Sequence, residues 1–264
     1  MSWKYLLLVF TMIPLHGWAQ DAEGDTAEFT SDLFGNPLYG TDIMPKGRLQ
    51  LETMVFYQHQ KAGDEHYYSW SPMSMVLRYG INRTTELRLQ GAWLHTTDEG
   101  TNYHGIADLA VGFKTNFFGG WKAVPAISLL ANLYIPGGEN YSFLPDHFGC
   151  ELALLFSNSL TSWCSLSYMG GVIWDDAPRP TALWAAGLDF SLSEKLSLSI
   201  EEDNFYYGEN EDDIGDRFQP WANLTLSYQV HPRVQLGAST DISLRHPGHF
   251  FDIMIGVAWQ LTKR

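Results

Sequence analysis

The sequence predicts an all-β protein, a transmembrane antiparallel up-and-down β-barrel of twelve strands. Three observations carry that prediction. From Lys46 onward the chain runs in stretches of period-two alternation, each about 10 to 14 residues long, the length a tilted strand needs to cross a bilayer. The connections between them alternate between tight turns and longer acidic loops. Aromatic residues make up 14 % of the chain, with 10 Trp, 13 Tyr and 15 Phe, against only 16 Lys plus Arg.

The last stretch shows the alternation best. Phe251, Ile253, Ile255, Val257, Trp259 and Leu261 share one face, and Asp252, Met254, Gly256, Ala258 and Gln260 the other. The pattern recurs at Ala182, Trp184, Ala186, Leu188, Phe190 and Leu192 with Asp189 opposite, and at Ala222, Leu224, Leu226 and Tyr228 with Asn223, Thr225 and Ser227 opposite. Because a one-residue slip would turn every apolar side chain to the wrong face, such alternation fixes the register. Applied throughout, it predicts strands over 47–59, 70–80, 85–95, 105–118, 121–135, 147–157, 162–174, 180–191, 195–207, 218–229, 233–244 and 250–262.

Tight turns are expected near Asn82–Arg83, Gly119–Gly120, Ser159–Thr161, Ser193–Glu194 and His231–Pro232, and long loops over 60–69, 96–104, 136–146 and 208–217. The 175–179 and 245–249 connections read as shorter outer loops. Even strand number then puts both chain termini on the turn side, as in outer-membrane barrels with periplasmic turns and extracellular loops. A soluble lipocalin-like barrel or sandwich has the same period, with the apolar face turned inward. Strand length, strand number and the aromatic residues near strand ends (Tyr57, Tyr79, Trp93, Phe117, Trp121, Trp163, Trp174, Trp184, Trp259) favour the membrane form. A mean hydropathy of -0.16 does not decide between them, since alternation averages it away.

Residues 1–20 read as a signal peptide: Lys4 precedes an apolar run from Tyr5 to Leu15, and Ala19–Gln20 precedes a polar stretch. That run, broken by Pro14, falls short of the roughly 20 residues of a spanning helix. Residues 21–45 are acidic and lack sustained alternation; the expectation is a segment in the periplasm or folded back as a lumenal plug. Residues 46–264 form the barrel domain.

A net charge of -14 and the lack of a basic patch argue against a nucleic-acid partner. The expected partners are outer-membrane lipid, lipopolysaccharide and a small solute. No cofactor or metal is expected, since no CxxC or HxxxH spacing occurs. Cys150 and Cys164 fall on consecutive strands, but pairing them needs a turn near Ser157, before the Ser159–Ser162 turn signal. Two free, lipid-facing thiols are expected.

If the apolar faces meet lipid, the lumen is lined by Glu52, Arg78, Arg88, Gln90, Asp108, Lys114, Asn116, Glu151, Asp189, Glu201, Asp203, Asn223, Gln235 and Asp241. Ionisable groups there must be paired or hydrated. Two readings follow: a salt-bridged filling that stiffens a closed structural barrel, or a polar conduit for small solutes, apolar or aromatic ones among them. Twelve strands lie between the roughly eight that side chains fill and the 16 to 18 of open porins, so a conduit would be narrow. An outer-membrane lipid hydrolase would need a Ser–His pair, for which His147, His246, His249, Ser142 and Ser243 are the residues near loop ends, without a nucleophile motif around them. The carboxylates Glu201–Glu202–Asp203 and Glu209–Asp213 could hold calcium, but more simply form solvated outer loops.

The stretches Phe29–Asp32 and Ile43–Glu52, then Leu77–Arg83 with Glu86–Leu89, then Gly105–Lys114, come in the order of the opening strands of a known family. Together with Leu129, Pro136–Gly138 and the closing Gly256–Trp259, they make the chain resemble the barrel family named for the MetA pathway of phenol degradation. That resemblance implies an outer-membrane, transporter-like barrel and no catalytic residues.

Overall fold

Alternation becomes architecture by pairing each stretch with the next. The computed structural model describes residues 31–32, 38–62, 65–98, 101–121, 123–137, 143–175, 179–207, 217–245 and 250–262. Twelve strands result: β1 (Leu49–Ala62), β2 (Glu65–Gly80), β3 (Thr85–Asp98), β4 (Thr101–Trp121), β5 (Val124–Tyr134), β6 (Gly149–Ser159), β7 (Cys164–Trp174), β8 (Thr181–Ser191), β9 (Leu196–Tyr206), β10 (Phe218–His231), β11 (Val234–Ser243) and β12 (Phe250–Gln260). Each pairs antiparallel with its sequence neighbours, and β1 pairs with β12 from Gln50↔Gln260 to Gln60↔Phe250, closing the barrel. Closure leaves no sheet edge between first and last strands, which a bilayer requires because lipid cannot bond a free N–H or C=O.

The packing is that of a soluble barrel turned inside out. Along β6 the inward Glu151, Ala153 and Leu155 are buried while Leu152 and Leu154 stand exposed. Lys114 is 0 % exposed and Ile255 59 %. In a soluble barrel those two would be exchanged, so the outer wall is built for lipid.

Strand ends differ from the alternation reading on the loop side of β1–β4. Where loops over 60–69 and 96–104 are expected, pairing continues through Lys61↔His66 and Thr97↔Asn102. Above the bilayer the outward face need not be apolar, so the two-residue signal fades while backbone pairing and ring stacking persist. His59 stacks on His66 and Tyr68, and His95 on Trp70 and His104. On the turn side, Gly119 and Gly120 stay within β4, with Gly120 at φ +82°, and the pairing runs on to Trp121↔Val124. Cys150 and Cys164 are free thiols opposite Trp174 and Phe190, at opposite ends of adjacent strands and on the outward face.

Candidate functional site: the lumen

All fourteen polar positions singled out above lie on inward-facing positions of their strands, but they divide into two groups of different chemistry. On β1–β4, Arg78, Arg88 and Lys114 meet Glu52 and Glu86, within a few residues of the turns. Arg78 donates from Nη1 to Glu52 at 3.0 Å and from Nε and Nη2 to Glu86 at 2.9 Å each. Arg88 reaches Glu86 at 3.0 Å and lies over the Tyr39 ring at 5.4 Å.

The N-terminal segment completes this network. Asp32 accepts from Arg88 and from Lys114 at 2.7 Å and lies 3.4 Å from Arg78. Burial alone would raise the Asp32 carboxyl, yet the three cations hold it far below the usual carboxylate range. The backbone joins in: the Asp32 N–H donates to Glu52 at 2.9 Å and the Met44 N–H to Glu86 at 2.8 Å. Lys114 donates to the Gly40 carbonyl at 2.9 Å and Ser128 to that of Thr41 at 2.7 Å. Leu38 packs among Leu130, Leu155, Met169 and Leu183. At the segment's exit, Gly80 is required: a Cβ there would sit 2.2 Å from the Pro45 carbonyl oxygen.

Across the barrel the lumen is acidic. Strands β5 to β12 contain no Lys or Arg. Glu201, Asn223, Asp241 and Asp252 follow one another in cross-strand register over β9–β12. Asn223 donates to Asp241, and the Asp241 N–H to Asp252 at 2.9 Å. Asp189 accepts from Ser199 at 2.6 Å and Ser167 at 3.1 Å. Asp203 is 1 % exposed, and neither of its oxygens is hydrogen-bonded among the described residues. Glu201 and Asp203 point inward and Glu202 outward, so these three carboxylates belong to a strand, not a loop, and do not converge on a cation.

Asn116 donates to Ser128 at 3.1 Å, Glu151 accepts from Asn132 at 2.8 Å and from Tyr134 at 3.1 Å, and Gln235 lies opposite Ala258. Between the two walls lies a cavity of about 280 Å³, bounded by Tyr39 of the N-terminal segment, by Gln90, Asp108 and Glu151, and by apolar side chains such as Met54 and Phe205. Among the residues weighed for hydrolysis, His147 is exposed and Ser243 ends β11, while Ser142, His246 and His249 lie outside the described residues, as do the 209–213 acidic run and residues 1–30.

Alternation missed four partners. Glu86 shares the face of Arg88 and could have been found by stepping back two residues. Asp252, opposite Asp241, falls on the polar face of the last stretch, and parity alone makes it lumenal. Asp32 and Tyr39 sit in a segment with no period, and nothing local marks them.

A closed barrel with lipid-facing Leu, Ile and Trp and a charged interior defines an outer-membrane-type β-barrel. The family model described as Putative MetA-pathway of phenol degradation matches residues 36–251, and the chain belongs to that family. Its fold is similar to the COG4313 outer membrane channel from Pseudomonas putida F1, with TM-score 0.68 and 13 % identity over 89 % of this chain and 100 % of that one. It is also similar to the transport unit of the autotransporter AIDA-I from Escherichia coli (TM-score 0.55, 11 % identity, 90 % and 95 % covered) and to the NanC porin (0.54, 10 %, 80 % and 100 %). No curated protein sequence matches the chain.

Proposed function

We propose that this protein is a narrow outer-membrane channel for small solutes, delivered by a cleaved signal over residues 1–20, with periplasmic turns and with loops facing lipopolysaccharide. The observation that carries the reading is the un-neutralised acidic wall of β8–β12 beside an internal cavity. A barrel that is only a strut gains nothing from buried carboxylates lacking cations, whereas a conduit uses them to draw and select solutes. Residues 21–45 act in this reading as a lumenal plug or constriction on the periplasmic side. The barrel is a conduit and performs no catalysis.

A second reading, a closed structural barrel, draws support from the neutral network that ties Asp32 and Met44 to β1–β4. Single-channel current of the refolded mature chain in a planar bilayer separates the two. Discrete conductance steps that grow on deletion of residues 21–45 support the channel. A folded, heat-modifiable barrel that stays silent with and without that segment overturns it.

A further inference from the structure

The alternation of β4 breaks twice, at Asn116–Phe118 beside the turn and, farther along the strand, opposite Gly91. Gln90 pairs with Ala110 and Ala92 with Ala107, so Asp108 and Leu109 both stand opposite Gly91. This is a β-bulge, and it switches the buried inward positions from Gly105 and Ala107 to Ala110 and Lys114. Asp108 takes φ +53°, the only non-glycine residue with positive φ among those described. A bulge residue in the left-handed region is ordinarily glycine, which has no Cβ to strain there. Aspartate tolerates the region best when its side chain bonds nearby backbone. Here Asp108 forms no hydrogen bond or ion pair among the described residues, and its carboxylate opens into the cavity. Neither fold nor stability is served by that choice, and strain of this kind is a pointer to function.

The surroundings specify what the carboxylate faces. The lumen's cations are engaged elsewhere: Arg78, Arg88 and Lys114 hold Asp32, Glu52 and Glu86. Tyr39, Tyr134, Met54 and Phe205 give the cavity an apolar and aromatic lining, and its other carboxylates, Asp32 and Glu151, already accept from Lys114 and Arg88 and from Asn132 and Tyr134. Its volume of about 280 Å³ lies at the lower end of small-molecule pockets, enough for one ring or a short branched chain.

We infer that this cavity binds a small organic cation, with its ammonium on Asp108 and its apolar body against the tyrosines, Met54 and Phe205. The inference deepens the channel reading by naming the solute class, but binding is measured without a membrane, so each fails separately. The probes are benzylammonium, benzyl alcohol and benzoate, titrated calorimetrically at pH 7 into the detergent-folded barrel. Benzylammonium is expected to bind at least about tenfold tighter than benzyl alcohol, with benzoate weakest. Asp108→Asn keeps the shape and tolerates positive φ, so the barrel should fold, as its heat-modifiable mobility would show. It should remove the preference for the cation while leaving the alcohol's affinity unchanged. A cation preference that survives Asp108→Asn, equal binding of benzoate, or no saturable binding of benzylammonium to the unaltered barrel would each overturn the proposal. A conducting channel with no such binding would sink only this proposal; binding in a barrel that never conducts would sink only the channel.

Discussion

The two walls of the lumen handle buried charge in opposite ways. On β1–β4, three cations face three carboxylates, one of them Asp32 from outside the barrel wall, and nearly every oxygen has a donor. On β8–β12, Asp189, Glu201, Asp203, Asp241 and Asp252 are matched by Ser and Asn but by no Lys or Arg in those strands. The first arrangement is close to complete within the molecule, with only Arg88 Nε and Nη2 lacking acceptors among the described residues, and each member depends on the others. The second is incomplete and awaits water, protons or a cationic solute. A barrel that uses one wall for cohesion can leave the other for selection.

Removing one partner from the complete wall should therefore have the largest effect. Arg78→Ala leaves Glu52 and Glu86 buried without their main donor, and loss of one member of such a network costs about 3–5 kcal/mol. Asp203→Asn on the incomplete wall removes a buried carboxyl that has no hydrogen-bond partner among the described residues, and should be neutral or stabilising. Urea unfolding in detergent, followed by heat-modifiable mobility, compares them. Equal losses in the two variants would erase the distinction between the walls.

Selectivity is the reverse test. Replacing Asp203 and Asp241 together by Asn should lower the cation-to-anion permeability ratio several-fold, because it removes acidic side chains that no Lys or Arg of β8–β12 offsets. Arg88→Gln should change that ratio less, since its charge is already balanced by Asp32 and Glu86. Reversal potentials in a salt gradient measure both. A larger change from Arg88→Gln would mean that the ion path follows β1–β4.

Much of the acidic wall can be read from sequence because its strands are regular: the β8–β9 and β9–β10 registers run without a shift, and the β10–β11 register shifts only at Gln229–His231, beside the turn. On β1–β4 the period is interrupted. Register shifts fall between Met54 and Phe56, Trp70 and Met73, Gln90 and Ala92, and Asn116 and Phe118, and each one resets which face a residue joins. Asp108 shows the limit: its parity suggests one more lumenal acid, and only the backbone reveals a left-handed bulge residue. Asp32 lies beyond any periodic argument, because its place is fixed by three cations 46 or more residues away in sequence, at positions 78, 88 and 114.

The smallest expected effect concerns how the N-terminal segment stays attached in acid. Asp32 has a carboxyl held far below its ordinary value, with burial opposing and Arg78, Lys114 and Arg88 outweighing it. A group depressed in the folded state contributes stability that is fully present above its unfolded pKa, about 3.9, and is lost as pH falls toward the folded value. Attachment should thus be unchanged between pH 7 and pH 5 and weaken only below about pH 4. The amide protons of Asp32 and Met44, which donate to Glu52 and Glu86, give the measurement: their exchange protection, corrected for intrinsic rates, should be flat over that upper range. Asp32→Asn should lower the protection at pH 7, because Lys114 and Arg88 then lose their shared acceptor while Glu86 keeps Arg78 and Arg88 in place. If protection instead collapses between pH 7 and pH 5, the segment is held by a group other than Asp32, and the complete wall is less complete than its hydrogen bonds imply.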